Sequence, residues 1–233
     1  MTRDRKAEGR KQKAASQGNY REQGMTDLYY GVYLIPPPSL VYALSLAHSA
    51  YEHEFRAFIA GRFMSHCTIK GFFKLAPGST PDAFTPALDR LFVDTAPFPV
   101  EIKPPWMTSG APVGESIILW LEKTPEFQQF HNDIWAICKP HVAADCLFTH
   151  SEPLGEHFPP HLTLVQADLP AEPAILAQAM ALAQYIYEDL PTHSFEAREM
   201  QLVEFRSEDW SGKWWESLVH RQLKGWRLGA DNR

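Results

Sequence analysis

The sequence predicts a mixed α and β domain made of two similar halves, and three observations support this prediction. Two strings with one pattern, histidine, any residue, threonine and an apolar residue, occur at 66–69 and 161–164, each inside a β-prone run. The predicted elements around each string follow the same order of strand, helix, strand, helix and strand. Hydrophobic residues occupy 45% of the 233 positions, which is enough for a sizeable core.

The first half opens with a predicted strand at 28–35, which three consecutive prolines bring to an end. Thr80 has the residue type of a helix N-cap and Pro81 suits a first helical position, so a helix is predicted to begin there. The other elements of this half, in chain order, are a helix over about 39–60, a strand over about 65–73 and, after the helix at Thr80, a strand over about 99–106.

The second half repeats this order, with Thr124 and Pro125 as the cap and first residue of its first helix. The tail after 205 is rich in tryptophan and is predicted to add a hairpin or a short helix over the sheet. The elements of the second half, in chain order, are a strand over 116–122, a helix from Thr124 to about 142, a strand over about 161–166, a helix over about 172–189 and a strand over 194–205.

The two strings place chemistry and packing on opposite faces of their strands. Residues two apart in a strand point to the same side, so His66 and Thr68 would share one face, as would His161 and Thr163. Two such pairs facing one cleft supply a general base, a general acid and two hydroxyl donors, a set that suits chemistry at a phosphate. One string alone would favour a buried structural histidine, whereas the symmetric pair favours function.

These halves, with their motif strands, resemble the two-histidine (2H) phosphoesterase superfamily, which includes 2′,3′-cyclic phosphodiesterases and proteins called 2′-5′ RNA ligases. The string Pro-His-Leu-Thr-Leu at 160–164 is close to the second motif of that family, and 66–69 resembles the first. The resemblance implies a bilobal α+β fold, in which two antiparallel sheets face a central cleft with helices outside. One domain over 25–233, with lobes of about 25–110 and 111–233, is expected.

The resemblance also implies an activity. It predicts metal-independent hydrolysis of a 2′,3′-cyclic phosphate or a 2′-5′ linked nucleotide or RNA end, with no cofactor. His66 and His161 would be the acid–base pair, and Thr68 and Thr163 would bind phosphate oxygens. Which histidine is the base stays open. RNA 2′-5′ ligation, trimming of an RNA 3′ end, and a non-catalytic nucleotide- or RNA-binding module are the alternatives.

Three further residues are candidates for binding the substrate. Lys70 lies four residues after His66 and would either contact a phosphate oxygen or extend to solvent at the strand end. Tyr33 and Trp120 alternate with apolar neighbours, so they are expected on the cleft side, where an aromatic ring can stack a base. Packing at the junction of the lobes is the alternative for both rings.

One rival site consists of cysteines and histidines whose types and spacing resemble a small zinc knuckle, namely Cys138, His141, Cys146 and His150. Two arguments oppose it. Cys138 and His141 fall at the end of an apolar helix, and the interval 142–145 lacks the glycine that a tight knuckle turn usually needs. The sequence therefore predicts no metal site.

Charge limits the partners of the protein. Residues 1–24 contain seven basic and three acidic residues and are predicted to form a disordered basic leader. Because the whole chain has a net charge of −6, the rest of the chain carries about −10. An acidic body is a poor match for a long nucleic acid, so a nucleotide or a short RNA end is the expected substrate. Three widely spaced cysteines imply no disulfide framework, so a cytoplasmic location is expected, and no apolar run is long enough for a membrane span. A monomer without an obligatory protein partner is also expected.

Overall fold

The structure, a computed structural model, describes residues 27–108, 114–148 and 153–230. The leader predicted at 1–24 and His150 of the rival zinc site lie outside these residues. The described chain forms eight strands and four α-helices, and every strand pair is antiparallel. The predicted α+β class is therefore confirmed. None of these helices is both long and apolar enough to cross a membrane.

The elements follow the predicted order closely. The strands are β1 (Leu28–Ile35), β2 (Cys67–Lys74), β3 (Phe98–Thr108), β4 (Glu115–Leu121), β5 (His161–Leu169), β6 (Ser194–Ala197), β7 (Glu199–Arg206) and β8 (Val219–Arg227). The helices are α1 (Pro38–Phe55), α2 (Thr85–Asp94), α3 (Pro125–Cys138) and α4 (Pro173–Glu188). Short 3-10 turns follow α1 and α3 and precede α2 and β5.

The strands form one curled sheet in the order β6-β3-β4-β5-β2-β1-β7-β8. Its two four-stranded halves correspond to the two expected antiparallel sheets. We call β2-β1-β7-β8 the His66 half-sheet and β6-β3-β4-β5 the His161 half-sheet. They meet at β2 and β5, which pair through one residue on each strand, Cys67 and Leu162. The centre of the sheet is therefore its narrowest hydrogen-bonded connection.

Each half-sheet takes strands from both halves of the chain. The strand predicted at 194–205 is two strands, because Arg198 separates β6, which pairs with β3, from β7, which pairs with β1. Likewise β3, which precedes residue 110, belongs to the His161 half-sheet. The expected division of the lobes near 110 is corrected accordingly, since long-range strand pairing, and not position along the chain, decides the membership of each lobe.

Helix ends account for the other differences. Helix α1 ends at Phe55 and not near 60, because Arg56 adopts a left-handed φ of 62° and its N–H bonds back to the carbonyl of Glu52. The Thr80 hydroxyl does not cap a helix, and a 3-10 turn separates it from α2. Thr124 does cap α3 as predicted, because its hydroxyl accepts the N–H of Phe127 at 3.1 Å.

The tail returns along the sheet as predicted. β7 and β8 form a hairpin whose loop contains a short 3-10 turn at Trp214–Glu216. Trp226 of β8 is buried, and its indole N–H donates to a carboxylate oxygen of Asp89 on α2 at 2.6 Å. The tail is therefore an edge strand of the His66 half-sheet that is anchored to a helix.

Candidate active site

The two motif strings meet where the half-sheets join. His66 immediately precedes β2, and His161 is the first residue of β5. The side chains of Cys67 and Leu162, which pair across the junction, are fully buried, whereas both histidines are partly exposed. The alternation of faces expected from the sequence is confirmed, so the histidine face of each strand is available to a substrate.

The register at the junction pairs each histidine with the threonine of the other motif. Because Cys67 lies opposite Leu162 in an antiparallel pair, His66 falls opposite Thr163 and Thr68 falls opposite His161. The hydroxyl of Thr68 is also 3.1 Å from the Nε2 atom of His66. The four side chains thus form one compact group of two imidazoles and two hydroxyls.

Backbone carbonyls fix which nitrogen of each imidazole carries the proton. The Nδ1–H group of His66 donates to the carbonyl of Met64, and that of His161 donates to the carbonyl of Pro159, both at 2.6 Å. In each neutral ring the proton is therefore on Nδ1, and Nε2 is left as the acceptor. Nε2 is thus the atom through which each histidine can transfer a proton.

Loss of water around the rings keeps both imidazoles neutral. Burial, against the bond to the Met64 carbonyl and with a smaller contribution from repulsion by His161, His48 and His220, lowers the pKa of His66 from 6.5 to about 4. Burial also lowers the pKa of His161, against its bond to the Pro159 carbonyl. An anionic phosphate bound between the rings would oppose both shifts, because it stabilises the protonated form.

Lys70 does not reach the cleft or solvent, which corrects both expectations for this residue. The register slips between β1 and β2, where Val32 pairs with Lys70 but Tyr33 pairs with Thr68, so β2 carries an extra residue. This bulge turns Lys70 towards α3. Its side chain is fully buried, and its Nζ atom lies 5.5 Å from the ring of Phe73 and 5.4 Å from that of Trp135.

Tyr33 lies beside His66, but it does not present a face to a ligand. Its ring is 1% exposed and meets the imidazole edge-on at 4.7 Å between centroids. The hydroxyl end of Tyr33 fills the space that a Cβ atom at Gly31 would need. The alternative of packing at the junction is therefore correct for Tyr33, and base stacking on it is excluded.

Trp120 is placed where a ligand can reach it. It pairs directly with His161 across β4 and β5, and the two ring centroids are 6.2 Å apart. The indole is partly exposed and lines a cavity of about 460 Å³. The other residues around this cavity are Lys103, Leu121, Glu122, Lys123, His157, Phe158, Pro159 and Pro160. A pocket of this size beside Trp120 can hold a ring system.

An aromatic cluster closes the opposite side of the site, and no motif in the sequence marks it. Phe63 meets the His66 ring edge-on at 4.5 Å and packs on Phe205 at 4.9 Å. The contacts continue from Phe72 to Trp210 and Trp214 of the tail at 5.4 and 5.1 Å. The tryptophan-rich tail therefore encloses the His66 side of the junction. Only the high aromatic content of these segments hinted at this arrangement.

The rival zinc site is not assembled among the described residues. The thiol of Cys146 accepts the N–H of Lys74 at 3.3 Å, while His141 pairs with the hydroxyl of Ser79 at 3.0 Å. In the described ranges, no three side chains of histidine, cysteine, aspartate or glutamate are grouped to hold a metal ion. His150 lies outside those ranges.

An α+β fold whose curled antiparallel sheet carries two histidine–threonine pairs at its centre is that of the 2H phosphoesterases. The sequence model of the 2′-5′ RNA ligase superfamily matches residues 37–209, which is most of the chain. The protein therefore belongs to this superfamily, whose members are phosphoesterase-like and ligase-like enzymes. Among curated proteins, no sequence matches the chain.

Solved structures with the same fold are distant in sequence. TT0787 of Thermus thermophilus is 16% identical with a TM-score of 0.57, and the alignment covers 88% of this chain and 100% of that one. LigT of E. coli in its apo form is 13% identical with a TM-score of 0.53, over 88% of this chain and 99% of LigT. These likenesses establish the fold alone.

Proposed function

We propose that this protein is a metal-independent phosphodiesterase that opens a 2′,3′-cyclic phosphate or cleaves a 2′-5′ linkage at a nucleotide or RNA end. The observation that carries this proposal is the junction itself. Two imidazoles whose Nε2 atoms are both set for proton transfer stand beside two hydroxyls, in a chain of this superfamily. General acid–base catalysis needs these groups and no metal.

The reaction divides between the two imidazoles. One Nε2 atom takes a proton from water as the water oxygen bonds to phosphorus. The other Nε2 atom, protonated beforehand, gives its proton to the ribose oxygen as the phosphorus–oxygen bond breaks. The hydroxyls of Thr68 and Thr163 donate to the non-bridging oxygens, which gain charge in the transition state.

The surroundings favour His66 as the base in the hydrolytic direction. His66 is enclosed by Tyr33 and Phe63 and is the more strongly shifted towards its neutral form. His161 lies beside Trp120, whose indole lines a cavity with room for a leaving nucleoside, and a bound phosphate would favour the protonated form that the acid needs. The proposal therefore includes a nucleobase stacked on the indole of Trp120, a contact that tolerates any nucleobase.

Turnover in the presence of a chelator is the experiment that tests this proposal. Purified full-length protein is incubated with 2′,3′-cyclic nucleotides and EDTA, and the linear products are separated by chromatography. Hydrolysis is expected for the wild type and for His53→Ala, a control at an exposed histidine outside the site. The double variant His66→Ala and His161→Ala should be inactive. Loss of activity in the chelator would point to a metal-bound hydroxide instead.

Ligation is the second candidate, because the matching superfamily is described by that activity. In ligation a 5′-hydroxyl takes the place of water: one Nε2 atom removes its proton as its oxygen bonds to the phosphorus of the cyclic phosphate, and the other Nε2 atom gives a proton to the leaving ribose oxygen. Incubation with an RNA that ends in a 2′,3′-cyclic phosphate and one with a 5′-hydroxyl separates the two outcomes by product length. Tight nucleotide binding without any product would instead indicate a binding module.

We propose further that the protein acts as a monomer in the cytoplasm. All three cysteines are among the described residues, and each is a buried thiol with no disulfide. A reducing compartment keeps thiols in this state. Light scattering of the purified protein tests the monomer, and imaging of the tagged protein in its own cells tests the location.

A further inference from the structure

The narrow junction leaves the separation of the two motifs dependent on other contacts. β2 and β5 pair only through Cys67 and Leu162, whereas β1 and β7 pair along the whole of β1. A single pair fixes the angle between the two half-sheets less firmly than a longer run of hydrogen-bonded pairs would. The alignment of the histidines, by contrast, must hold to a fraction of an ångström for proton transfer. Additional bonds across the junction are therefore needed.

His48 supplies one of these bonds. It lies on α1, which leads into β2 along the chain, but α1 packs against β5 of the other half-sheet. Its Nε2 atom is 2.9 Å from the carbonyl oxygen of Thr163, so Nε2 must carry a proton and donate it. Burial lowers the pKa of His48, which keeps the ring neutral beside the active site.

His131 supplies the reciprocal bond. It lies on α3, which leads towards β5 but packs against β2. The fully buried imidazole donates from Nδ1 to the carbonyl of Ile69 at 2.7 Å and accepts the N–H of Gly155 on Nε2 at 3.1 Å. It also stacks on Phe158 at 4.0 Å, in the segment that carries the carbonyl of Pro159 to His161.

We infer that His48 and His131 are reciprocal positioning residues, each of which holds the motif strand of the opposite half-sheet. His48 fixes the backbone of Thr163, and His131 fixes the backbone next to Thr68 together with the approach to His161. This inference rests on the proposed function. The two bonds place both phosphate-binding hydroxyls and both proton-transfer atoms in one frame that the sheet hydrogen bonds do not supply.

Steady-state kinetics of paired variants tests this inference. His48→Ala should lower kcat on a 2′,3′-cyclic nucleotide by about 10- to 100-fold with a much smaller change in KM, since misplacement by about 1 Å costs roughly this much. His48→Gln restores a donor in the place of Nε2 and should recover most of the loss. His131→Asn keeps a donor in the place of Nδ1, so its kcat should likewise be higher than that of His131→Ala.

Tyr51→Phe is the matched control on the same helix. The Tyr51 hydroxyl is buried and donates to the carbonyl of Ala179 at 2.9 Å, away from both motif strands. This variant should lower the melting temperature but leave kcat nearly unchanged. If His48→Ala lowers the melting temperature without lowering kcat, or if His48→Gln fails to recover the rate, the positioning role is wrong and the bond is only structural.

NMR separates this inference from the proposed activity. If the wild type shows no turnover, the phosphodiesterase proposal fails, but imidazole nitrogen shifts of His66 and His161 and the affinity for inorganic phosphate can still be measured. The inference expects His48→Ala to move the shift of His161 and to weaken phosphate binding more than Tyr51→Phe does. Equal effects of the two variants would overturn it. His48 is only partly buried, so its variants are expected to fold even if His131→Ala does not.

Discussion

His66 and His161 begin the same motif, and each donates its Nδ1 proton to a carbonyl two residues earlier, yet the two rings have different surroundings. His66 is enclosed by Tyr33 and Phe63, both within 5 Å between ring centroids, and the tryptophan-rich tail packs behind them. The ring beside His161 is the indole of Trp120, at 6.2 Å between centroids, and this indole lines an open cavity. Two copies of one motif can therefore take opposite roles, because the surroundings of the two imidazoles differ although their Nδ1 hydrogen bonds are the same.

The different surroundings of the two histidines also suggest which part of the substrate lies beside each of them. Under the proposed mechanism, the attacking water would lie beside the enclosed His66, and the cavity lined by Trp120 would accept the nucleoside. We therefore expect substitutions on the two sides to affect different steps, the first mainly proton abstraction and the second mainly departure and binding of the nucleoside.

The largest effect is expected at the two histidines. On a cyclic nucleotide, His66→Ala and His161→Ala should each lower kcat by about 10²–10⁴-fold, because each removes one proton-transfer group. On a nitrophenyl phosphodiester, whose leaving group needs no proton, His161→Ala should regain most of its rate and His66→Ala should not. Stopped-flow absorbance measures both substrates. If the two variants respond alike to the activated substrate, the assignment of His66 as base is wrong.

A smaller loss is expected at the threonines. Thr68→Val and Thr163→Val keep the β-branched shape and should each lower kcat by about 10²-fold, since each removes a donor to developing charge. Thr68→Val should also move the acid limb of the pH profile, because the Thr68 hydroxyl contacts the Nε2 atom of His66. Circular dichroism melts provide the control for folding. A large drop in melting temperature with normal kcat would make these threonines structural.

A change in binding is expected at Trp120. Trp120→Ala should raise KM for nucleotide substrates by the loss of about 1–3 kcal/mol of stacking, while kcat changes less. Tyr185→Ala, which removes an exposed ring on the outer helix α4, is the control and should leave KM unchanged. Initial rates over a range of substrate concentration separate the two constants. An unchanged KM in Trp120→Ala would exclude the cavity as the nucleoside site.

The smallest effect is a displacement of the pH optimum. The free enzyme needs neutral His66 and protonated His161, so kcat/KM should peak between about 4 and 6.5 and fall as His161 loses its proton at higher pH. Bound phosphate raises both pKa values, so kcat should peak at a higher pH. Profiles of the two constants from one data set give the comparison. Coincident optima would show that phosphate does not lie between the rings.

The lowered pKa values of His66 and His161 also make the free energy of unfolding depend on pH. The folded pKa of each histidine lies below its unfolded value of 6.5, so the unfolded chain binds protons first as the pH falls. The stability contribution is complete above pH 6.5 and is lost as the pH falls through about 4. His66→Asn should reduce this loss in urea titrations across that range. If the free energy of unfolding falls with pH as steeply in His66→Asn as in the wild type, the acid sensitivity belongs to other groups than His66.

The sequence predicted the local parts of the site well. Strand β1 and the cap of α3 lie where the residue pattern placed them, and the histidine and threonine of each motif share one face of a strand. Periodicity and capping act over a few residues, so the side chains themselves reveal them. The sequence failed at Lys70 because nothing in 66–70 marks the bulge that turns this side chain towards α3.

What the sequence determined by itself is the pair of motifs, their exposed faces and the order of strands and helices, because each depends on neighbouring residues. The tertiary structure was needed to show that β6 and β7 divide between the half-sheets, that Tyr33 and Phe63 pack on His66 whereas Trp120 lies beside His161, and that His48 and His131 bond to carbonyls of the motif strands. These features depend on backbone carbonyls and on partners distant in the chain. A carbonyl is present at every residue, so no side-chain pattern can mark the one that a distant histidine will bind.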